Sequence, residues 1–253
     1  MKKIWLTLAV AFLSTNGIAF AWTQGEFLSG GQPVQHYVCA SNAGGPGPAV
    51  ILLHGAEVHG SGYHDMERIC MDLAAQGYYA DMIEYYGQGE EVVPGEREEI
   101  RKYFGPWSHK IHDGLEALSK NAAVDPKRIA VMGYSLGGLL ALSLGARHPD
   151  QVAAVVDYYG PLPPSVRDNT ASMPPTLIIH GGKDRLVSAQ SSRDLDQLLT
   201  QAGRPHQLKL YPEADHAFNL EGSNTYDASD AQDAWTVTLD FLRQYLKGGP
   251  SGH

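Results

Sequence analysis

Three residues have types and an order in the chain that suit nucleophilic catalysis: a serine between glycines, a later aspartate and a histidine after both. Ser135 lies in the stretch GYSLG at 133–137, between an apolar run and a leucine-rich stretch. Asp184 and His216 each follow an apolar run of strand length. A serine hydroxyl is a poor nucleophile unless a histidine takes its proton and an acid orients that histidine. The set predicts Ser135 as nucleophile, His216 as general base and then acid, and Asp184 as orienting acid.

Other acids and histidines compete for these roles. Asp157 lies at the end of the predicted strand that follows the helix after Ser135, and it is the alternative acid. Asp215 is expected to hydrogen-bond locally, and His180 to pack within or at the end of a strand. His54 is expected to shape the loop that follows its own strand. The order serine, acid, histidine is the one associated with a serine on a strand-to-helix turn, and it favours Asp184.

The two glycines around the serine have a steric reason to be there. A sharp strand-to-helix turn brings the helix close to neighbouring strands, and Gly133 and Gly137 avoid the clash that side chains would cause. The amide of Leu136, at the start of the helix, is the first predicted donor to an oxyanion. The second is expected from the glycine loop after residue 54, from Ala56 or alternatively Val58.

Three residues are candidates for contact with the substrate. Glu57 lies in the same glycine loop and is either a site carboxylate or a solvated loop acid. Tyr85 and Tyr86 are predicted near the mouth of the cleft, where aromatic side chains are otherwise part of the core or wall.

Apolar and amphipathic stretches alternate from residue 49 onward. The predicted strands are Val34–Cys39, Ala49–His54, Tyr78–Ile83, Ile129–Met132, Val152–Tyr158, Thr176–His180 and His206–Tyr211; the predicted helices are His64–Gln76, Trp107–Ala122, Leu136–Arg147, Ala189–Gln201 and Ala228–Leu246. A long connection is predicted at Glu84–Pro106, with Glu96–Tyr103 as a candidate helical turn within it. This alternation predicts an α/β fold, a doubly wound and mostly parallel sheet with helices on both faces. Sites assemble at the carboxyl edge of such a sheet. Each of the three candidate residues comes shortly after the carboxyl end of a predicted strand, so all three are expected at this edge.

The first 21 residues are predicted to be a signal peptide. Lys2 and Lys3 precede a mostly apolar stretch, and small residues at positions 19 and 21 place the cleavage before Trp22. An uncleaved anchor is the alternative, which the polar residues 14–17 disfavour. We therefore expect export, to the periplasm or outside the cell, and a single domain over residues 22–253.

The charge of the chain limits its partners. The net charge is −9, and it becomes −11 without the two lysines of the leader. Because no basic cluster is present, binding to nucleic acid and stable association with a membrane surface are disfavoured. His109 and His112 have no evident third ligand, and the lysine of a phosphate-binding loop is missing, so no metal or cofactor is expected. The oligomeric state stays open.

The chain has two cysteines, Cys39 and Cys70. An exported chain could join them in a disulfide. Cys70 shares a helical spacing with Met66, Ile69 and Leu73, which is typical of a residue that faces the core. A buried thiol is the preferred interpretation, and the disulfide is the alternative.

From about residue 34 to 246 the chain resembles the α/β-hydrolase superfamily and, within it, the dienelactone hydrolase-like family. The resemblance rests on six stretches in a fixed order: HGAEVHG at 54–60, AQGY at 75–78, GYSLGG at 133–138, VDYYG at 156–160, HGGKD at 180–184 and YPEADHAF at 211–218. It implies the α/β-hydrolase fold, a compact hydrolase with minimal or no lid, and a small-molecule ester substrate.

Two departures from the family pattern bear on the substrate. Dienelactone hydrolases proper use a cysteine as nucleophile, where this chain has Ser135, so the role of Glu57, which resembles their loop glutamate in placement, is open. The arginines that hold the substrate carboxylate are absent, because no arginine follows Tyr85 and Tyr86, and Asn219 follows the last matched stretch. The chain is predicted to be a serine esterase-like relative that does not prefer an anionic lactone.

The leading hypothesis is hydrolysis of a carboxylic ester or lactone through an acyl-serine intermediate. A small serine peptidase or acyltransferase would use the same three residues. A non-catalytic exported binding protein could keep the same scaffold, but the complete serine, aspartate and histidine set argues against it.

Overall fold

The computed structural model describes residues 10–13, 19–40, 45–56, 61–87, 90, 92 and 97–248, with the backbone alone for 10–13, 19–21, 61–62 and 97. The strands in this part of the chain are β1 (Val10–Leu13), β2 (Ala19–Ser29), β3 (Gln32–Ala40), β4 (Gly47–Leu53), β5 (Tyr79–Ile83), β6 (Val124–Tyr134), β7 (Ala154–Tyr158), β8 (Thr176–Gly181) and β9 (His206–Tyr211). The helices are α1 (Ser61–Ala75), α2 (Arg97–Ser119), α3 (Leu136–Arg147), α4 (Pro164–Asn169), α5 (Gln190–Gln201) and α6 (Ala228–Leu246), with a 3₁₀ turn at Thr170–Ser172.

The strands form one sheet in the order β1-β2-β3-β5-β4-β6-β7-β8-β9. From β5 to β9 every neighbouring pair is parallel, whereas β1, β2 and β3 add an antiparallel edge. Six of the seven residues of β4 are buried, as expected for an apolar strand covered on both faces. The predicted doubly wound, mostly parallel sheet is confirmed.

The core has two layers, one on each face of the sheet. One layer packs α1 and α6 against the sheet, with Leu73 and Leu242 fully buried. The other packs α2, α3 and α5 against the opposite face, with Ile111 and Leu199 among its buried side chains. Together the two layers hold the carboxyl ends of β4, β6, β8 and β9 in fixed relative positions.

Several elements differ from the prediction, among them one strand and the starts of a helix and a second strand. Strand β2 was not predicted, although its partly buried and exposed residues alternate from Thr23 to Ser29. Helix α2 begins at Arg97 instead of Trp107, so Pro106 lies inside it. Strand β6 begins at Val124, five residues before the predicted start.

Part of the predicted signal peptide is paired in the sheet. Strand β1 and the first residues of β2 lie within residues 1–21, and Val10 is the register partner of Trp22. The remaining leader residues lie outside the described ones, and the cleavage stays a prediction. None of the described helices combines the length and the apolar character that crossing a bilayer requires.

The two cysteines are bonded to each other. Cys39 in β3 and Cys70 in α1 form a disulfide with a Cα–Cα distance of 5.7 Å. Cys70 is buried, as its helical spacing predicted, but the preferred interpretation as a thiol is wrong. The reason is that β3 pairs directly with β5 beneath α1, which brings Cys39 under the buried face of that helix.

Candidate active site

Ser135 lies on the sharp turn between β6 and α3. Its backbone has a φ of +55°, which a residue other than glycine rarely adopts. The turn is held by a hydrogen bond of 2.8 Å from the Ser135 amide to the Tyr158 carbonyl in β7. This strained residue is therefore fixed by the neighbouring strand, and strain of this kind is concentrated at functional sites.

The flanking glycines are required by the packing of the turn. A Cβ on Gly133 would overlap the carbonyl oxygen of Gly137, and a Cβ on Gly137 would overlap that of Leu53 in β4. Both obstacles are backbone atoms, which cannot move aside as a flexible side chain can. The close approach of α3 to β4 explains the spacing of glycines that the sequence shows.

The structure brings Ser135, His216 and Asp184 together. The distance from His216 Nε2 to Ser135 Oγ is 3.0 Å, and His216 Nδ1 lies 2.7 Å from Asp184 Oδ2. With Nδ1 donating to the carboxylate, Nε2 is left as an acceptor for the serine hydroxyl. Ser135 follows the carboxyl end of β6, Asp184 that of β8 and His216 that of β9.

Asp184 is held as a carboxylate. Its Oδ1 accepts hydrogen bonds from the amides of Leu186 at 2.9 Å and Val187 at 2.8 Å. Burial alone would raise the pKa of this carboxyl, but hydrogen bonds from His180 and His216 outweigh burial and lower the pKa well below its usual range.

The loop that carries His216 is anchored by two other aspartates. Asp215 accepts hydrogen bonds from the amides of His216 at 2.8 Å and Arg185 at 3.0 Å, so it bonds locally, between the histidine and aspartate loops. Asp65, buried in α1, accepts from the amides of Glu221 and Gly222, each at 3.1 Å. Sequence reasoning did not single out Asp65, because its partners are 156 and 157 residues away along the chain.

The predicted oxyanion donors come from two different elements. Leu136 is the first residue of α3, so its amide is one of those that have no acceptor within the helix. Ala56 follows β4, and both residues line the cavity at Ser135. Val58 and Glu57 lie outside the described residues.

Tyr85 and Tyr86 contact the backbone of the loop after β4, which carries the predicted oxyanion donor Ala56. The Tyr85 hydroxyl donates to the His54 carbonyl at 2.7 Å, and the Tyr86 hydroxyl donates to the Ala56 carbonyl at 3.4 Å. Tyr85 is fully buried and stacks on the His54 ring at 4.1 Å. Neither tyrosine is among the described residues that line the cavity, and their hydrogen bonds place both behind the loop; contact with a substrate stays a prediction.

A cavity of about 970 Å³ opens above Ser135. Its apolar lining includes Met66, Val92, Ile100, Leu136 and Leu220. The charged residues that line it are Asp65, Arg185 and Asp215, besides the titratable His54 and His216. The guanidinium of Arg185 is already paired with the Asp215 carboxylate.

The competing histidines and acids have other partners. His54 donates from Nδ1 to the Gly55 carbonyl at 2.7 Å, and its Nε2 lies 3.3 Å from a carboxylate oxygen of Glu84. Asp157 is fully buried in β7, where its Oδ1 accepts from the Gly160 amide at 3.0 Å. Among the described residues, no hydrogen-bond donor or acceptor reaches Asp157 Oδ2. Asp157 therefore belongs to the support behind the turn, away from the contact with His216.

Replacing Asp157 with asparagine is expected to change the pH dependence of stability. Burial raises the pKa of this carboxyl from 3.8 to about 7. Between these values the folded state holds a proton that the unfolded state has released, so the free energy of unfolding falls as the pH rises. Asparagine does not titrate, so the stability of the asparagine variant relative to the native chain should improve by about 4 kcal/mol between pH 4 and pH 8.

Denaturant unfolding of both proteins across this pH range measures the effect. Any constant cost of the asparagine amide cancels in the comparison between the two pH values. Parallel stability curves for the two proteins would show that Asp157 does not ionise in this way.

No group of three or more histidine, cysteine, aspartate or glutamate side chains is arranged to hold a metal ion in the described part of the chain. His109 and His112 line a separate cavity of about 360 Å³ between α2 and α3, together with His148. The rings of His112 and His148 stack there at 3.8 Å.

A parallel sheet covered by helices on both faces, with a strained serine on the turn between a central strand and its helix, defines the α/β hydrolases. Within that class, residues 34–246 match the model of the dienelactone hydrolase family, and the chain belongs to this family. It is a hydrolase of a family that acts on esters and lactones.

Named relatives agree with this assignment. The chain is 31% identical to a Yersinia pestis protein named "Putative carboxymethylenebutenolidase", over 92% of this chain and 91% of that protein. A crystal structure from Klebsiella pneumoniae named "Putative Dienelactone Hydrolase" is 26% identical, with a TM-score of 0.76, and the match covers 88% of this chain and 98% of that one. The fold is shared also by a dienelactone hydrolase-like promiscuous phosphotriesterase, P91, at 20% identity and a TM-score of 0.74, over 88% of this chain and 97% of that one.

Proposed function

We propose that this protein hydrolyses a neutral carboxylic ester or lactone through an acyl intermediate on Ser135. The observation that supports this most directly is the chain of contacts from Ser135 Oγ through His216 to Asp184, with distances of 3.0 and 2.7 Å. These are hydrogen-bond distances, short enough for proton transfer in the resting protein.

In the first half of the proposed reaction, Ser135 Oγ attacks the ester carbonyl while its proton passes to His216 Nε2. The carbonyl oxygen becomes an oxyanion, which the amides of Leu136 and Ala56 would stabilise together with the amino end of α3. His216 is then an imidazolium next to Asp184, whose carboxylate stabilises that charge. The imidazolium gives its proton to the leaving alcohol oxygen as the C–O bond breaks.

In the second half, water takes the place of the alcohol. His216 removes a proton from the water, which attacks the acyl carbonyl, and the proton then returns to Ser135 Oγ as the acid leaves. The hydrogen bonds from Tyr85 and Tyr86 to the carbonyls of His54 and Ala56 hold the loop amide in place throughout. Such preorganised donors act without reorganising during the reaction.

Labelling with a fluorophosphonate probe tests the nucleophile. The probe is expected to attach one group per folded chain, at Ser135 in peptide mass spectrometry, because only an activated serine reacts at a useful rate. Heat-unfolded protein and the Ser135→Ala variant serve as controls and should stay unlabelled. Labelling at another residue, or equal labelling of the alanine variant, would refute the proposal.

The charges in the cavity support a neutral acyl group. Asp65 is only 4% exposed, and its one cationic neighbour among the described ion pairs is Arg68, at 3.3 Å. Arg185 is the one cation that lines the described cavity, and it is paired with Asp215. A substrate carboxylate would lose its hydration there without gaining a free cation, which is unfavourable.

The preference can be measured with two esters of similar length. The p-nitrophenyl ester of butyric acid is expected to have a kcat/KM about 10-fold or more above that of the p-nitrophenyl monoester of succinic acid. Added salt should narrow the ratio, because it screens the repulsion from Asp65. An equal or higher kcat/KM with the charged ester would refute the preference for a neutral acyl group. It would not bear on the assignment of Ser135 as nucleophile.

A further inference from the structure

The carboxylate of Asp184 has a second imidazole beside it. His180 Nε2 lies 3.2 Å from Asp184 Oδ2, the same oxygen that receives the hydrogen bond from His216 Nδ1. The side chains of both His180 and Asp184 are completely buried. Two histidines therefore share one carboxylate oxygen, and only His216 has a role in the reaction described above.

The tautomer of His180 follows from its partners. On one side, Nε2 faces two acceptors, Asp184 Oδ2 and the Val187 carbonyl at 2.9 Å, so Nε2 carries a proton. On the other side, Nδ1 lies 2.6 Å from the hydroxyl of Ser192 in α5, which can donate to it. The ring is thus held at both nitrogens, with a proton on Nε2.

We propose that His180 is a positioning residue, which fixes the Asp184 carboxylate toward His216 through its Nε2–H group and is itself anchored by Ser192. This inference rests on the proposed function of Ser135. The amides of Leu186 and Val187 hold Oδ1 of the carboxylate, whereas Oδ2 is placed by the two imidazoles. Without His180, the described contacts leave Oδ2 with one mobile partner, the histidine that must change its charge in each half-reaction.

Two substitutions of similar size at position 180 separate the effect of the hydrogen bond from His180 to Asp184 from the effect of packing. Glutamine at position 180 keeps an N–H donor near the place of Nε2, whereas methionine has the same length and no donor. His180→Met is expected to lower kcat by about 10- to 100-fold with KM changed less than about threefold, by analogy with the loss of other residues that orient a reacting group. His180→Gln should recover most of kcat. Ser192→Ala, which disturbs the same buried network and keeps the imidazole, should lose less than about fivefold.

Equal kcat values for the glutamine and methionine variants would overturn the proposal, as would a methionine variant as active as the native protein. If the methionine variant does not fold, the tautomer is measured in the native chain by ¹⁵N NMR of its histidine rings, with His180 assigned from the signal lost in His180→Gln. A proton on Nδ1 in place of Nε2 would also overturn it. The Ser135→Ala variant is measured in parallel to separate the proposed nucleophile from the proposed role of His180. Full activity of that variant refutes Ser135 as the nucleophile. An activity that requires Ser135 but does not change with the residue at position 180 refutes only the role of His180.

Discussion

Ser135→Ala is expected to lower kcat/KM for p-nitrophenyl butyrate by about 10⁴- to 10⁶-fold while the protein stays folded. Alanine removes the attacking oxygen, and it fills less space than serine in a turn that the backbone of β7 already holds. His216→Ala should lose a similar factor, because the hydroxyl at 3.0 Å is then left without a base.

The double variant gives the sharper result. Residues that act as one unit are not additive, so Ser135→Ala with His216→Ala should be no slower than Ser135→Ala alone. Additive losses would mean that the two side chains contribute to separate steps. Circular dichroism and thermal unfolding serve as controls for folding, and activity of Ser135→Ala within tenfold of the native protein would contradict the mechanism.

Gly137→Ala is expected to destroy the folded state rather than to weaken catalysis. The added Cβ would overlap the carbonyls of Leu53 and His54, at the place where α3 crosses β4. Because both are buried backbone atoms, the helix would have to move away from the sheet, which should cost more than about 4 kcal/mol. The expected observation is insoluble protein or loss of the cooperative unfolding transition.

Gly105→Ala is the matched control for that change. Gly105 lies in α2 and is exposed, and apart from its chain neighbours and the backbone of its own helix no atom lies within 4 Å of an added Cβ. The same substitution should there change the free energy of unfolding by less than about 1 kcal/mol, because the reduced freedom of the unfolded chain is offset by the contact of the new Cβ with the ring of Pro106. A Gly137→Ala variant as stable as Gly105→Ala would show that the turn is looser than its geometry indicates.

The parallel strands and the candidate site were accessible to sequence analysis for a physical reason. A strand buried on both faces must be apolar throughout, so the run in β4 is visible without any tertiary information. The turn residues after β6, β8 and β9 stand out next to such runs, and parallel strands bring their carboxyl ends to one edge. Ser135, Asp184 and His216 could therefore be grouped before their distances were known.

The elements that were missed depend on partners that are distant in sequence or on an exception to a local rule. Strand β2 has little apolar pattern to detect, because Phe27 is the one large apolar side chain among the alternating, partly buried positions from Thr23 to Ser29. Helix α2 contains Pro106, which cannot donate to the carbonyl one turn earlier and ordinarily marks a helix boundary. The acidic residues Glu98 and Glu99 in its first turn were a usable sign of its true beginning.

Side-chain roles were the least accessible part. Tyr85 was a candidate for contact with the substrate, with a place in the core or wall as the alternative; it is buried, and its hydroxyl bonds to a backbone carbonyl. His180 was expected to pack locally, and it does, but one of its neighbours is the Asp184 carboxylate. Residue type and spacing identify which side chains lie near an edge of the sheet, whereas their orientation is decided by packing that no local pattern encodes.

The bond between Cys39 and Cys70 closes a covalent ring that contains β4, the loop amide of Ala56 and the loop-anchoring Asp65, whereas the serine, aspartate and histidine lie beyond it. A single break in the backbone anywhere within this ring leaves the two resulting pieces joined through sulfur. The amide of Ala56, one of the two proposed donors to the developing negative charge, thus stays attached to the rest of the molecule even after proteolytic nicking.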